Sequence, residues 1–175
     1  MIFSVEEIKK YISTDITDEI LKEKLDGIEL LIRNYTHNNF QNRGYRTEGY
    51  IIGNMFITEK PVPFKVGDTV QVSQSVLNEG LYTVETVEDS IFKVNEDVTD
   101  EFDILVTKVS YPADVKMGVV NMLKWDLENR DKVGIQSETI SRHSVTYFNM
   151  DGDNSIMGYP KSLLGFLKPY KKARF

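Results

Sequence analysis

Phe64-Lys65-Val66-Gly67-Asp68-Thr69-Val70-Gln71-Val72 contains a Gly-Asp pair followed by a run in which apolar and polar residues alternate. A period of two sets Val70 and Val72 on one face of a strand, and Gly-Asp suits the tight turn before it. The same pattern extends outward. Strand-like runs fall at 50–58, 69–73, 81–87, 91–94 and 104–109, separated by Gly53-Asn54, Gly67-Asp68, Asn78-Glu79-Gly80 and Asp89-Ser90. Short strands at this spacing predict a small antiparallel barrel or sandwich.

Helical periodicity lies on both sides of this region. Ser4-Val5-Glu6-Glu7 forms a capping box, and Val5, Ile8 and Ile12 share one face of the short helix after it. A second helix is predicted over 18–38. Its apolar residues Ile28, Leu31, Ile32 and Tyr35 recur at i, i+3, i+4 and i+7, and Ile20, Leu21 and Leu25 extend the stripe. A third is predicted from Pro112 to about Arg130. Val115, Val119, Val120, Leu123 and Leu127 form one side of it, and Gly118, Met122 and Trp125 carry the apolar arc around. Only Asn121, Lys124 and Glu128 make a clean polar strip. So wide an arc requires neighbours on more than one side, and marks Met122, Trp125 and Leu127 as a helix-packing or subunit interface. Residues 138–148 read as extended, and 149–154 as a turn. Pro160 opens a last helix over 161–167, which Pro169 is expected to stop.

The predicted class is α+β: a helical bundle of three to four helices interrupted by an inserted barrel. Residues 1–44 and 111–175 form the discontinuous helical domain, ending in an arm at 168–175, and 45–110 form the barrel. The stretch from Phe64 to Val72 resembles the opening hairpin of an SH3-like barrel, in which a Gly-Asp turn leads into an alternating strand.

Composition bounds the function. The 175 residues are 41% apolar and 27% charged, ordinary for a globular chain. The absence of cysteine removes disulfides and thiolate metal sites, and suits a reducing cytoplasm. No apolar stretch approaches the roughly 20 residues of a membrane span. The opening Met1-Ile2-Phe3-Ser4 leads straight into a polar helix, so no signal peptide is expected. Net charge is −6, and its distribution is uneven. Residues 45–110 carry five Lys/Arg against twelve Asp/Glu, a net of −7. Residues 155–175 carry five cations (Lys161, Lys168, Lys171, Lys172, Arg174) and no acid. A protein that wraps duplex DNA draws its affinity from neutralising phosphates, and an acidic barrel opposes that.

No constellation carries chemistry. His37 and His143 are the only histidines and lie far apart, too few for a zinc site without thiolates. Asp151-Gly152-Asp153-Asn154-Ser155 resembles the start of a calcium loop, but Ile156 and Ser162 stand where that loop needs Gly and Glu. Phosphate loops, the G-x-S-x-G elbow and the H-E-x-x-H helix are absent. The carboxylates Glu88, Asp89, Glu96, Asp97, Asp100, Glu101 and Asp103 read as a solvated loop without the burial that tunes an acid–base pair. No catalytic residue, metal ligand or cofactor is expected. The closing Lys168, Tyr170, Lys171, Lys172, Arg174 and Phe175 leave two readings open: a frayed, solubilising end or an anchoring arm.

Four tracts together resemble the phage head–tail connector (head completion adaptor) family. They are Ser4-Val5-Glu6-Glu7-Ile8-Lys9-Lys10-Tyr11-Ile12, Arg33-Asn34-Tyr35-Thr36-His37-Asn38-Asn39-Phe40, the stretch from Ile135 to Tyr147, and the closing stretch from Gly158 to Phe175. The resemblance spans 1–40 and 112–175 and is strongest at the C-terminus; small members have a short loop where this chain has its β insertion. It implies a structural virion protein, not an enzyme. Such a subunit joins a dodecameric ring on the portal, extends the DNA channel and presents a platform to the stopper or tail completion protein. DNA would pass without sequence-specific binding, no membrane would be involved, and the place would be the virion neck after assembly in host cytoplasm. The resemblance also resolves the tail toward a portal- or subunit-binding arm. Rival readings are a nucleic-acid-binding or protein-interaction module on the barrel, and a small hydrolase.

Overall fold

The computed structural model describes residues 2–132, 137–140, 143–146 and 153–173. The chain is mixed α and β and divides into two compact units, Met1–Ser4 with Asn38–Tyr111, and Val5–His37 with Pro112–Phe175. The boundary expected after residue 44 therefore lies after His37, and the first four residues go with the barrel. The cause is strand β1 (Gln41–Ile52), which starts well before the sequence shows any alternation. Gln41-Asn42-Arg43-Gly44 has no strand pattern of its own. It is recruited by β6 (Glu101–Val109), with Gln41 opposite Val109 and Thr47 opposite Val106.

The other strands are β2 (Met55–Thr58), β3 (Thr69–Ser73), β4 (Gly80–Glu88) and β5 (Ile91–Val94). The run predicted at 50–58 is thus two strands, parted by Gly53 and Asn54 at φ 58 and 64, the left-handed pair a two-residue hairpin turn demands. The six strands close into an antiparallel barrel in the order β1-β2-β5-β4-β3-β6, with β6 back on β1, so no edge is left open. Alternation fills it: Val70 and Val72, Phe92 and Val94, Ile104 and Val106 all point inward with Ile51, Phe56, Phe64 and Val84. Phe56 stacks on Phe92 at 4.6 Å between ring centroids, and Phe64 meets the same ring edge-on at 5.4 Å. Closure needs Gly49, beside a shift of register, because a Cβ there would collide with the Ile57 carbonyl oxygen of β2.

In the helical unit, α1 (Val5–Ile8) is a single turn. The second helix, α2 (Asp18–Thr36), is capped by Thr17, whose hydroxyl accepts from the Ile20 N–H, and ends on His37 at φ 49. Leu21, Leu25, Ile28 and Ile32 bury its stripe. Next, α3 (Ala113–Asn129) buries Val115, Val119, Val120, Met122 and Leu123. It touches both α2 and the C-terminal 3-10 helix (Lys161–Tyr170), the neighbours on more than one side that its apolar arc requires. A short 3-10 turn (Arg130–Lys132) and two small hairpins, β7 (Ser137–Ile140) with β8 (His143–Thr146) and β9 (Ser155–Ile156) with β10 (Tyr159–Pro160), complete the unit.

Pro169 does not stop the last helix. The segment is 3-10, not α, and runs on through Pro169 to Tyr170. Leu164 and Leu167 are buried, and the Phe166 ring lies against α3 where Gly118 has no side chain. A Cβ on Gly118 would collide with the outer edge of that ring. Among the described residues no helix is long and apolar enough to cross a membrane.

Candidate functional site

The residues marked as an interface on α3 divide. Met122 is fully buried, so it is core, while Trp125 and Leu127 are only partly covered. Trp125 lies 5.4 Å from the Tyr159 ring, and the Arg130 guanidinium sits over both rings, at 5.3 and 4.8 Å. Beneath them is a group the sequence reading passed over. Asp126 is buried and accepts from Lys24 Nζ on α2 at 2.6 Å, from Arg130 Nε at 2.6 Å and from the Tyr159 hydroxyl at 3.2 Å. Arg130 also donates to the Gly158 carbonyl at 2.9 Å, which ties the β9–β10 turn to the helix end.

Burial pushes the Asp126 carboxyl up, but hydrogen bonds and charge from Lys24 and Arg130 outweigh it and hold it below the usual carboxylate range. The neighbouring Tyr159 hydroxyl is pushed up to about 12, first by burial and then by the Asp126 charge. Two cations, one anion and a neutral phenol leave this carboxylate saturated. It is built to join α2, α3 and the C-terminal tract rather than to transfer protons. Since the folded state holds the Tyr159 proton more tightly than an ordinary tyrosine, which ionises near 10.0, that stabilisation is complete below pH 10 and is lost as pH rises to about 12. Tyr159 is therefore expected to ionise well above the ordinary tyrosine range in an absorbance titration near 295 nm, together with melting of the helical unit.

The C-terminal arm is shorter than the sequence suggested. Lys168 and Tyr170 lie within the 3-10 helix. The Tyr170 hydroxyl donates to the Asp114 carboxylate at 2.7 Å, Lys171 Nζ lies 3.7 Å from the Tyr35 ring centre, and the Lys172 N–H donates to the Thr36 carbonyl at 2.8 Å. These contacts stitch 170–172 across the start of α3 and the end of α2, where a cation also suits the helix dipole. Arg174 and Phe175 lie outside the described residues. Deleting 168–175 is therefore expected to lower the melting temperature by several degrees, where a free arm would leave it unchanged; differential scanning calorimetry of the truncated chain decides.

The acidic stretch in the barrel is also more ordered than a solvated loop. The Glu101 carboxylate accepts from Ser75 Oγ at 2.5 Å, from the N–H groups of Val76 at 2.6 Å and Leu77 at 3.3 Å, and from Asn78 Nδ2 at 2.7 Å. The Ser75 bond first, then those from Val76, Asn78 and Leu77, hold it at about 2. Nothing in the sequence flagged Glu101 among seven similar acids, because its partners come from another turn. His37 is an exposed helix cap, and among the described residues no three His, Asp or Glu side chains gather as a metal site would require. No protein-family model and no curated protein matches this sequence.

Proposed function

We propose that this chain is a structural virion protein, a head–tail connector (adaptor) subunit that joins a dodecameric ring on the portal vertex, and that it has no catalytic role. One observation carries the reading. The tracts that resemble connectors, 1–40 and 112–175, nearly coincide with the compact helical unit, Val5–His37 with Pro112–Phe175. The strongest tract, from Gly158 to Phe175, supplies Tyr159, Leu164, Phe166 and Leu167 to that unit's packing. A tract with this many buried obligations is under tight physical constraint, a reason for likeness to concentrate there. On this reading the architecture is a connector-type helical bundle carrying an SH3-like barrel as an insertion.

The net charge of −7 over residues 45–110 suits a neck protein, since a channel through which DNA slides should not grip phosphates. It disfavours the nucleic-acid-binding alternative. The portal-facing arm contracts to Lys171, Lys172, Arg174 and Phe175. Co-sedimentation with packaged, portal-bearing heads tests the proposal. The full chain should sediment with the heads, and Lys171→Glu with Lys172→Glu should weaken this more at low salt than at high salt, because salt already screens exposed charges. Full chain left in the supernatant at every salt concentration would overturn it.

A further inference from the structure

The barrel displays a feature its own folding does not require. Between β3 and β4, Val76 and Leu77 stand 91% and 62% exposed. The loop that carries them is not slack. Gln74 enters it in the left-handed region at φ 58, Glu101 gathers its backbone N–H groups, and the Asn78 N–H donates to Ser75 Oγ at 2.7 Å. The buried Asn78 side chain also exchanges bonds with the Thr99 backbone at 2.9 and 2.8 Å. This is a rigid mount for two apolar side chains, and apolar groups fixed in advance lose little freedom on binding. Exposed acids surround the mount: Glu79 on the loop itself, and Asp97 and Asp100 on the turn that Asn78 grips. A surface that receives it must be apolar at its centre and basic at its rim.

The β9–β10 turn of the helical unit sets an exposed apolar residue beside cations, with Arg130 bonded to its Gly158 carbonyl. Residues 155–175 have five cations and no acid. Within them the β9–β10 turn exposes Met157, at 50%, held at φ 53. Lys161 follows, exposed, its N–H donating to the Asn154 carbonyl at 2.9 Å.

We propose that the Val76–Leu77 loop docks on a second copy of the chain, seating against Met157 with its acidic rim facing Arg130 and Lys161. The contact joins two different faces, so repetition is head-to-tail and closes into a ring wherever the rotation allows. The pairwise contact stands on the geometry above; only its closure into a ring rests on the connector reading.

The cysteine-free chain permits a direct test. Full-length Glu79→Cys is mixed with full-length Ser162→Cys, both exposed positions, and treated with a short bis-maleimide. A covalent heterodimer should form in excess over either homodimer and fade as salt is raised. Adding Val76→Ser and Leu77→Ser should reduce it at least about tenfold, as loss of an interface anchor does. Glu101→Gln, which weakens the loop's central acceptor, should reduce it too while the circular dichroism spectrum stays unchanged. A heterodimer yield no greater than that of Glu79→Cys with Lys22→Cys on α2, or one indifferent to the serine substitutions, would overturn the proposal. Cross-linking without sedimentation on heads would count against the connector reading alone, and sedimentation without cross-linking against this contact alone.

Discussion

Gly118→Ala is expected to destabilise the helical unit by about 2 kcal/mol, within the range that overpacking usually costs. The added methyl group would collide with the outer edge of the Phe166 ring, and this half-buried ring can clear it only by giving up its contact with α3. Either the 3-10 helix lifts away or the ring leaves its place on α3. The double variant Gly118→Ala with Phe166→Ala separates clash from helix propensity. Alanine is the better helix former, so once the ring is gone the same substitution should be neutral or mildly stabilising. A double-mutant cycle in urea should therefore show strong coupling, and independent, additive effects would contradict the packing.

Asp126→Ala is expected to cost about 3 kcal/mol. Removing one partner from a buried ion network strands the others, at about 3–5 kcal/mol where they are fully enclosed. Here Lys24 and Arg130 keep 30% and 37% of their side-chain exposure and can turn partly to solvent, which sets the figure at the lower end. The sign with pH follows from the depressed carboxyl. Its contribution is present above the ordinary carboxylate range and is lost as pH falls through the folded value, so wild type and variant should converge in acid. Replacing Lys24, Asp126 and Arg130 together by Met, Leu and Met should restore most of the loss, since an apolar cluster of similar volume replaces such a network at little cost. Equal stability of wild type and Asp126→Ala in neutral urea melts would show that the network does not hold the unit together.

What the sequence revealed depended on whether a signal was local. The α2 stripe of Ile28, Leu31, Ile32 and Tyr35 and the turn pairs between strands are properties of neighbouring residues, and they placed α2 and β3 to β5 within a residue or two. The beginning of β1 was illegible because its pairing with β6 creates the strand, not its own alternation. The tail departs from its sequence pattern for a related reason. Proline breaks the interior of an α-helix, whereas this segment is 3-10 and continues through Pro169 to Tyr170. Of the site, Trp125 was picked out by its place on the apolar arc, but the charge beneath it was not. One signal was present: Asp126 lies on that arc between buried Leu123 and Trp125, four residues before Arg130, the spacing of a helical ion pair. Lys24 and Tyr159, brought in from distant parts of the chain, left no such trace.

The connector reading is tested most directly by native mass spectrometry of the chain mixed with its portal ring. A connector subunit should give a discrete complex whose added mass is one copy of this 20.2 kDa chain for each portal subunit. Portal and chain flying as separate species, or a mixture of sub-stoichiometric adducts with no saturating composition, would contradict it.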